Sequence, residues 1–280
     1  MMRRKADYDL CLKPANVAKS LSESICVEKV HSSTVNLLIL GFFAGAFIAF
    51  GGELSTMVSV GTANVSIGIS RFLAGSVFSV GLMLVVIAGA ELFTGNNLVI
   101  ISALDRRIRG TDVLRNWVIV YAANFFGALF IAVLMYSSGL WKTGGNEWGV
   151  TAATIAVSKV NLSLAEAFFR GIGCNWLVCL AVWMAIASRD VVGKIFAIYF
   201  PIMAFVASGF EHVIANMYFI PMGLFLKGTG VSALVNMENL TWGSMVLKNF
   251  IPVTLGNIIG GAFFVGVLYW VAYLRTGEAE

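Results

Sequence analysis

The sequence Gly89–Asn96 reads GAELFTGN and Gly209–Asn216 reads GFEHVIAN, so the pattern Gly-x-Glu-x-x-x-x-Asn occurs twice, each time within a long apolar stretch. Inserting a carboxylate into hydrocarbon costs roughly 2.5 kcal/mol or more, so acids that recur at matched positions indicate a polar path or a broken backbone. Internal repeats with interrupted helices at mid-depth are typical of transporters and channels. The two copies therefore predict a pore.

The composition around these motifs is that of an integral membrane protein. Of the 280 residues, 59% are hydrophobic and 12% are charged, which argues against a soluble globular protein. A membrane-spanning helix needs about 20 apolar residues, and this rule predicts an all-α protein with six spans, at 35–57, 71–104, 116–137, 165–187, 195–226 and 249–273. The second and fifth segments are too long for straight spans, and each contains one copy of the motif.

The lysine and arginine residues predict the orientation. In this topology thirteen of the 19 lie on one side of the membrane and six on the other, and the richer side is normally cytoplasmic. We therefore expect a multi-pass protein of the cell (inner) membrane with both termini cytoplasmic. Its parts would be an N-terminal segment over 1–33, a six-span channel domain over 34–274 and a C-terminal tail over 275–280. The first thirty residues are polar and predict no cleavable signal.

The net charge of +4 does not indicate nucleic-acid binding, because the positive residues sort by membrane side instead of clustering on a soluble module. The lipid bilayer is the expected partner. With only two histidines and no Cys-x-x-Cys pair, the chain shows no metal-ligand spacing, so we expect no metal and no cofactor.

Residues 14–27 are predicted to form an amphipathic helix. Pro14 suits the first helical turn, and Val17, Leu21 and Ile25 are spaced four apart. Such a helix can lie at the headgroup level as an anchor or close the cytoplasmic mouth as a gate. The sequence leaves both alternatives open.

A second pair of matching segments extends the repeat. Asn124–Phe130 reads NFFGALF and Asn257–Phe263 reads NIIGGAF, and Tyr136 and Tyr269 follow at the same distance. The third and sixth spans therefore correspond, and three spans per half predict an inverted 3+3 repeat with the pore at its interface. The alternative is that the Asn-x-x-Gly pattern only lets helices pack closely.

His212 is the only histidine within a predicted span, and it lies near mid-depth. An imidazole, with a reference pKa of about 6.5, can donate a hydrogen bond to an anion or share a proton with it; a buried structural histidine is the alternative. We assign Glu211 and Glu91 to bracing, as acceptors for backbone N–H groups freed where each helix breaks. A direct proton relay is the second interpretation.

Bulky apolar side chains are expected to narrow the path. Phe205 precedes His212 by seven residues and lies on nearly the same helix face, and Phe78 and Leu82 share a face through i,i+4 spacing. Apolar constrictions would strip water from a small ion and exclude larger solutes. Such stripes can equally be plain core.

The segment Thr94–Asn97 reads TGNN, which continues a helix poorly and suits a re-entrant break. Freed N–H groups and helix N-termini at such a break favour anions. Lys159 and Asn175 on the outer side could draw anions inward, although Lys159 can also be a solvated loop charge.

Four longer strings carry a family resemblance. They are ELFTGN at Glu91–Asn96, NWLVCLAVW at Asn175–Trp183, FVASGFEHVIANM at Phe205–Met217 and IPVTLGNIIG at Ile251–Gly260. Read together and in order, they make the chain resemble the formate/nitrite transporter family over nearly its whole length.

The resemblance implies a homopentamer of aquaporin-like protomers, each with its own pore for small monovalent anions such as formate, nitrite or hydrosulfide. It implies that Thr94 and His212 form a central hydrogen-bonding pair and that Asn216 is an amide beside the pore. The implied constriction residues are Phe78, Leu82, Leu92 and Phe205, and the implied outer-vestibule residues are Lys159 and Asn175.

We therefore predict passive or proton-linked movement of a small weak-acid anion through a desolvating pore centred on His212. No phosphate-binding Gly-x-x-x-x-Gly-Lys-Ser/Thr loop is present, which argues against an ATP-driven pump. An aquaporin-like channel for neutral solutes is the first alternative. An intramembrane enzyme using Glu91, Glu211 and His212 is the second, but it lacks a nucleophile, base and orienting group, so no catalytic residue is assigned. A structural scaffold without flux is the third.

Overall fold

The structure, a computed structural model, describes residues 11–275. Residues 1–10 and 276–280, which belong to the expected terminal segments, lie outside the described residues. Within 11–275 the regular structure is helical apart from one isolated bridge between Cys11 and Ser188.

Six helices in this range are long and apolar enough to cross a membrane. They are α2 (Thr34–Ser59), α3 (Ile67–Gly89), α5 (Gly110–Ser138), α7 (Leu164–Ala187), α8 (Val191–Ser208) and α10 (Trp242–Tyr273). Two shorter apolar helices follow α3 and α8, namely α4 (Gly95–Leu104) and α9 (Val213–Leu226). The prediction of an all-helical membrane protein with six apolar segments is confirmed.

The helix ends differ from the predicted bounds where a polar side chain caps the helix. Helix α3 begins at Ile67 rather than at 71, because the hydroxyl of Ser66 accepts the amide of Ile69. Helix α10 begins at Trp242 rather than at 249, since Thr241 caps its first turn. Hydropathy reports apolar length, whereas a cap fixes the first residue.

Helix α6 (Glu147–Val160) lies between the third and fourth predicted spans and was not expected from the sequence. It is too short to cross a bilayer. Its residues Trp148, Ala152 and Ala156 are buried and belong to the large apolar core around α9. The helix is thus part of the packed domain.

Helix α1 covers 14–31 and packs its apolar face on the protein. Val17, Leu21 and Val30 are buried in a cluster that includes Leu98 and Ile101 of α4. This face is therefore covered by protein rather than by headgroups.

Small residues let paired helices approach closely. A Cβ at Gly127 of α5 would lie 1.9 Å from the backbone oxygen of Phe42 in α2, and one at Gly256 of α10 would lie 2.2 Å from that of Phe168 in α7. No larger residue fits at either crossing. The seams anticipated from the Asn-x-x-Gly pattern therefore exist, in addition to any role in a pore.

The outward faces of the long helices carry large apolar side chains. Exposed examples are Phe43, Phe126, Phe169 and Phe196. A surface of this kind suits lipid or a neighbouring subunit better than water.

Candidate functional site

Two non-helical segments lie inside the molecule where the repeated motif occurs. Helix α3 ends at Gly89, which has φ +91°, and Ala90 is extended before α4 begins. Helix α8 ends at Ser208, the next residue Gly209 has φ +76°, and α9 begins at Val213. Glycine adopts this left-handed geometry without the strain that a Cβ would cause. The backbone polar groups of both segments therefore need other partners.

In the first half, Asn124 of α5 supplies these partners. Its Oδ1 accepts the amide of Phe93 at 2.9 Å, and its Nδ2 donates to the carbonyls of Gly41 at 2.7 Å and Glu91 at 2.9 Å. The side chain is fully buried. One amide thus pairs two backbone groups of the non-helical segment and ties that segment to helix α2 through the third bond.

In the second half, Asn257 of α10 makes the same three bonds. Its Oδ1 accepts the amide of Val213 at 3.0 Å, and its Nδ2 donates to the carbonyls of Gly171 at 2.8 Å and Glu211 at 2.9 Å. We expected the two glutamates to accept the freed backbone N–H groups, and this was wrong in detail. The asparagines of the second matching segment accept them instead.

The carboxylate of Glu91 takes side-chain partners. Its Oε1 lies 2.6 Å from Nζ of Lys29 in α1, and its Oε2 accepts Nδ2 of Asn96 at 2.7 Å. Asn96 also donates to Oδ1 of Asn116 at 2.9 Å, and Asn116 reaches the carbonyl of Lys29 at 3.4 Å. The side chains of Lys29, Asn96 and Asn116, together with the carbonyl of Lys29, therefore form a closed ring with this acid.

The carboxylate of Glu211 takes the corresponding partners. Nζ of Lys159 in α6 lies 3.0 and 3.2 Å from its two oxygens, and Asn216 donates to Oε2 at 2.7 Å. Asn216 also donates to Oδ1 of Asn249 at 2.8 Å, and Asn249 reaches the carbonyl of Lys159 at 3.0 Å. Lys159 is thus an ion-pair partner of the motif acid.

Lys29, Asn116 and Asn249 were not identified from the sequence, although it contains a signal for each. Asn116 and Asn249 each precede a bracing asparagine by eight residues. Lys29–Ser33 reads KVHSS and Lys159–Ser163 reads KVNLS. The last serine of each string, Ser33 or Ser163, caps the long helix that follows. Both lysines lie outside the apolar runs that hydropathy selects, and Asn116 and Asn249 are the first residues of two of those runs.

His212 is 3% exposed and makes two hydrogen bonds. Its Nδ1 accepts the amide of Ala215 at 3.0 Å as the cap of α9, and its Nε2 lies 3.0 Å from Oγ1 of Thr94. A neutral imidazole has one acceptor and one donor nitrogen, so the cap assigns the proton to Nε2. His212 therefore presents an N–H beside the Thr94 hydroxyl.

Two cavities approach this pair. The Lys29 cavity, of about 560 Å³, is lined by Leu82, Leu92, Glu91 and Lys194 besides Lys29 itself. The Lys159 cavity, of about 250 Å³, is lined by Phe78, Phe205, His212, Glu211, Arg71 and Arg170 besides Lys159. Each cavity thus combines cations at its wall with bulky apolar side chains.

The four expected constriction residues divide between the cavities. The rings of Phe78 and Phe205 meet edge to face with centroids 5.8 Å apart, and Phe205 stacks on His212 at 5.8 Å. Leu82 and Leu92 are buried side chains that line the Lys29 cavity. The two phenylalanines therefore lie beside His212, and the two leucines belong to the other cavity.

The two remaining candidate residues lie differently. Asn216 lines the Lys159 cavity. Asn175 is fully buried, and its Nδ2 donates to the carbonyl of Thr94 at 3.2 Å and to Asn97 Oδ1 at 3.1 Å. Asn175 therefore holds the Thr94 segment by hydrogen bonds and lines neither cavity. We had expected it to be an outer-vestibule residue.

Glu211 and His212 are adjacent in the chain yet both line the Lys159 cavity. In an intact helix, neighbours point about 100° apart. The segment is not helical here, which lets both side chains reach one space. Within residues 11–275 no group of three or more His, Cys, Asp or Glu is placed to hold a metal ion.

Comparison with known proteins identifies the family. A family model described as formate/nitrite transporter matches residues 16–271. The chain is 47% identical over 278 residues to a protein of Methanothermobacter thermautotrophicus named probable formate transporter, covering 94% of this chain and 97% of the relative. It is 39% identical over 284 residues to the formate channel FocA of Escherichia coli (strain K12), covering 98% and 99%. A solved structure described as a pentameric formate channel with formate bound matches with a TM-score of 0.78 at 35% identity, covering 86% of this chain and 98% of that one. The chain therefore belongs to the formate/nitrite transporter family, as the resemblance of its motifs predicted.

Proposed function

We propose that the protein is a membrane channel for small monovalent weak-acid anions, namely formate, nitrite or hydrosulfide. The observation that carries the proposal is the pair of Thr94 and His212, which offers a hydroxyl and an N–H donor. His212 lines the Lys159 cavity, and Gly95, the residue after Thr94, lines the Lys29 cavity. Relatives that match the whole chain are named formate channels and transporters. Their names support transport rather than catalysis.

The two halves are, in this proposal, inverted repeats whose broken second and fifth spans frame the path. Support comes from the paired networks: Asn124 and Asn257 make the same three bonds, and Glu91 and Glu211 bind the same side-chain types. The correspondence also includes α1 and α6, which deliver the two lysines. Segment 14–31 is then a working part of the first half rather than only an anchor.

The protomers assemble, by the same proposal, as a homopentamer in the cell (inner) membrane, with one pore per subunit and both termini cytoplasmic. The solved relative is described as pentameric. The apolar outward faces of this chain provide the surface for neighbours and lipid.

The cations of either cavity attract the anion, and the apolar side chains between the cavities remove its water. Low polarity disfavours the charged form of an acid, so the anion is expected to cross together with a proton. His212 uses its Nδ1 as a cap acceptor, so a second proton on the ring would displace the Ala215 amide. The ring therefore acts as a neutral hydrogen-bond donor to the passing species.

Flux measurements on purified protein in liposomes test this function. Formate, nitrite and hydrosulfide uptake should exceed that of protein-free liposomes, and simultaneous electrical recording would report whether charge crosses with the substrate. If water or glycerol passes while all three anions fail, a channel for neutral solutes replaces this proposal. If nothing passes, the scaffold alternative stands.

A further inference from the structure

The Lys159 cavity contains three cations, and two of them are compensated. Lys159 contacts both oxygens of Glu211 and lies 5.2 Å from the ring centre of Phe219. Arg170 lies 3.7 Å from Glu166. Each of these two side chains therefore has a carboxylate partner.

Arg71 is the third cation of this wall, and within residues 11–275 it forms no salt bridge. Its side chain is exposed. The uncompensated positive charge at the entrance of the cavity therefore resides on Arg71.

The position of Arg71 relates it directly to the path. Arg71, Ala74 and Phe78 follow one face of α3, and all three line the cavity. Two helical turns, about 10 Å, separate Arg71 from Phe78. Arg71 thus lies at the outer end of the cavity wall whose inner end is formed by Phe78 and Phe205.

The guanidinium of Arg71 also lies against the turn that leads to His212. A Cβ added at Gly209 would be 3.3 Å from Nη1 of Arg71. The absence of a side chain at Gly209 leaves room for this approach. The cation is therefore held next to the backbone immediately before Glu211 and His212.

We propose that Arg71 is the anion-capture residue of the Lys159 cavity and that it favours planar anions with two oxygens on one atom. A guanidinium offers parallel N–H donors that match a carboxylate in a bidentate pair, whereas an ammonium acts as a point charge. Formate and nitrite have the matching oxygen pair, and hydrosulfide does not. This inference rests on the proposed anion transport and adds a selectivity step at one mouth.

The test compares Arg71→Gln and Arg71→Lys in right-side-out and inside-out membrane vesicles, with formate or hydrosulfide added outside. Arg71→Gln should raise the half-saturating formate concentration by about tenfold, the lower end of what a charged cleft contributes to ion capture. The change should appear in only the vesicle orientation that exposes the Lys159 cavity. It should also weaken the dependence of uptake on ionic strength.

Arg71→Lys separates charge from geometry. It should raise the half-saturating concentration for formate while leaving that for hydrosulfide near the unsubstituted value. The positive charge remains, but the parallel N–H donors of the guanidinium are lost. Lys248→Gln is the matched control, since this exposed lysine does not line the cavity and should leave both values unchanged. Size-exclusion chromatography checks that all variants assemble alike.

Three outcomes overturn the inference. The first is an unchanged half-saturating formate concentration in Arg71→Gln, and the second is an equal change in both vesicle orientations. The third is a half-saturating formate concentration in Arg71→Lys that equals that of the unsubstituted protein. A failure of the proposed function is distinguishable, because the unsubstituted protein would then transport none of the anions.

Discussion

The backbone amide of Ala215 donates a 3.0 Å hydrogen bond to Nδ1 of His212, so one ring nitrogen starts a helix while the other faces Thr94. The structural and functional roles of His212 can be separated by substitution, because each uses a different atom.

His212→Asn should retain the helix cap but lose the Nε2 donor. Asparagine is among the best capping residues, so stability should change little. Formate flux should fall by about tenfold or more, since a hydrogen bond to a charged partner contributes about 1.5–3 kcal/mol. His212→Ala loses the cap as well and should lower stability by about 1 kcal/mol more. An asparagine variant with unchanged formate flux would remove His212 from the pathway.

Asn124→Ala and Asn257→Ala should be destabilising to a similar extent. Each removes three hydrogen bonds and leaves buried backbone groups unpaired, at about 1–3 kcal/mol for each group. We expect a loss of about 3–5 kcal/mol or a failure to assemble. Asn36→Ala, at an exposed position of α2, is the control. Thermal unfolding in detergent provides the measurement, and a tolerant Asn124 or Asn257 would contradict the bracing role.

Removing the lysine of an ion pair should cost more at Glu211 than at Glu91. The Lys159 and Glu211 side chains are 13% and 6% exposed, compared with 28% and 11% for Lys29 and Glu91. Breaking a well-buried pair costs about 3–5 kcal/mol, because a charge is left unpaired. Lys159→Met should therefore be the more destabilising substitution.

Glu211→Gln added to Lys159→Met should restore part of the lost stability, because no buried charge remains. Unfolding midpoints of the single and double variants measure the coupling. If the double variant is no more stable than Lys159→Met alone, the ion pair does not account for the loss.

The attachment of α1 beside Asp105 should be insensitive to pH between 5 and 8. Burial alone would raise the pKa of the Asp105 carboxyl, but hydrogen bonds from Ser22 and Arg107 outweigh it and hold the pKa below its ordinary value of 3.8. The resulting stabilisation is complete above the ordinary pKa and is lost only as the pH falls through the lower, folded value. Amide hydrogen exchange of residues 14–31 checks this.

Asp105→Ala should increase that exchange at neutral pH, since it removes both contacts. Asp190→Ala, at the cap of α8, is a control that should leave residues 14–31 unaffected. Loosening of α1 in the unsubstituted protein between pH 8 and 5 would show that another group controls the attachment.

The sequence predicted the large elements well, because apolar length and repeated strings determine them. The six apolar segments and the family followed from residues that lie mostly inside the spans, and the family resemblance in turn implied the closeness of Thr94 to His212. The partners of the glutamates did not follow. Helical periodicity gives the face on which Glu91 lies. It does not show which side-chain or backbone N–H groups donate to the carboxylate there.

Helix α6 and Lys29 were missed for a related physical reason. Both lie outside the apolar runs, in segments too short or too polar to indicate a span. Their role depends on contacts with residues far along the chain, as in the pairing of Lys29 with Glu91. The asparagine braces were read as packing seams or repeat markers, since the sequence alone does not show where a side-chain amide points.

Each lysine precedes its glutamate in the chain, by 62 residues for Glu91 and 52 for Glu211. Synthesis runs from the N-terminus and earlier segments settle first. Each lysine is therefore already synthesised when its acid leaves the ribosome. This order allows the ion pair to form as soon as the carboxylate reaches its position, without waiting for a later part of the chain.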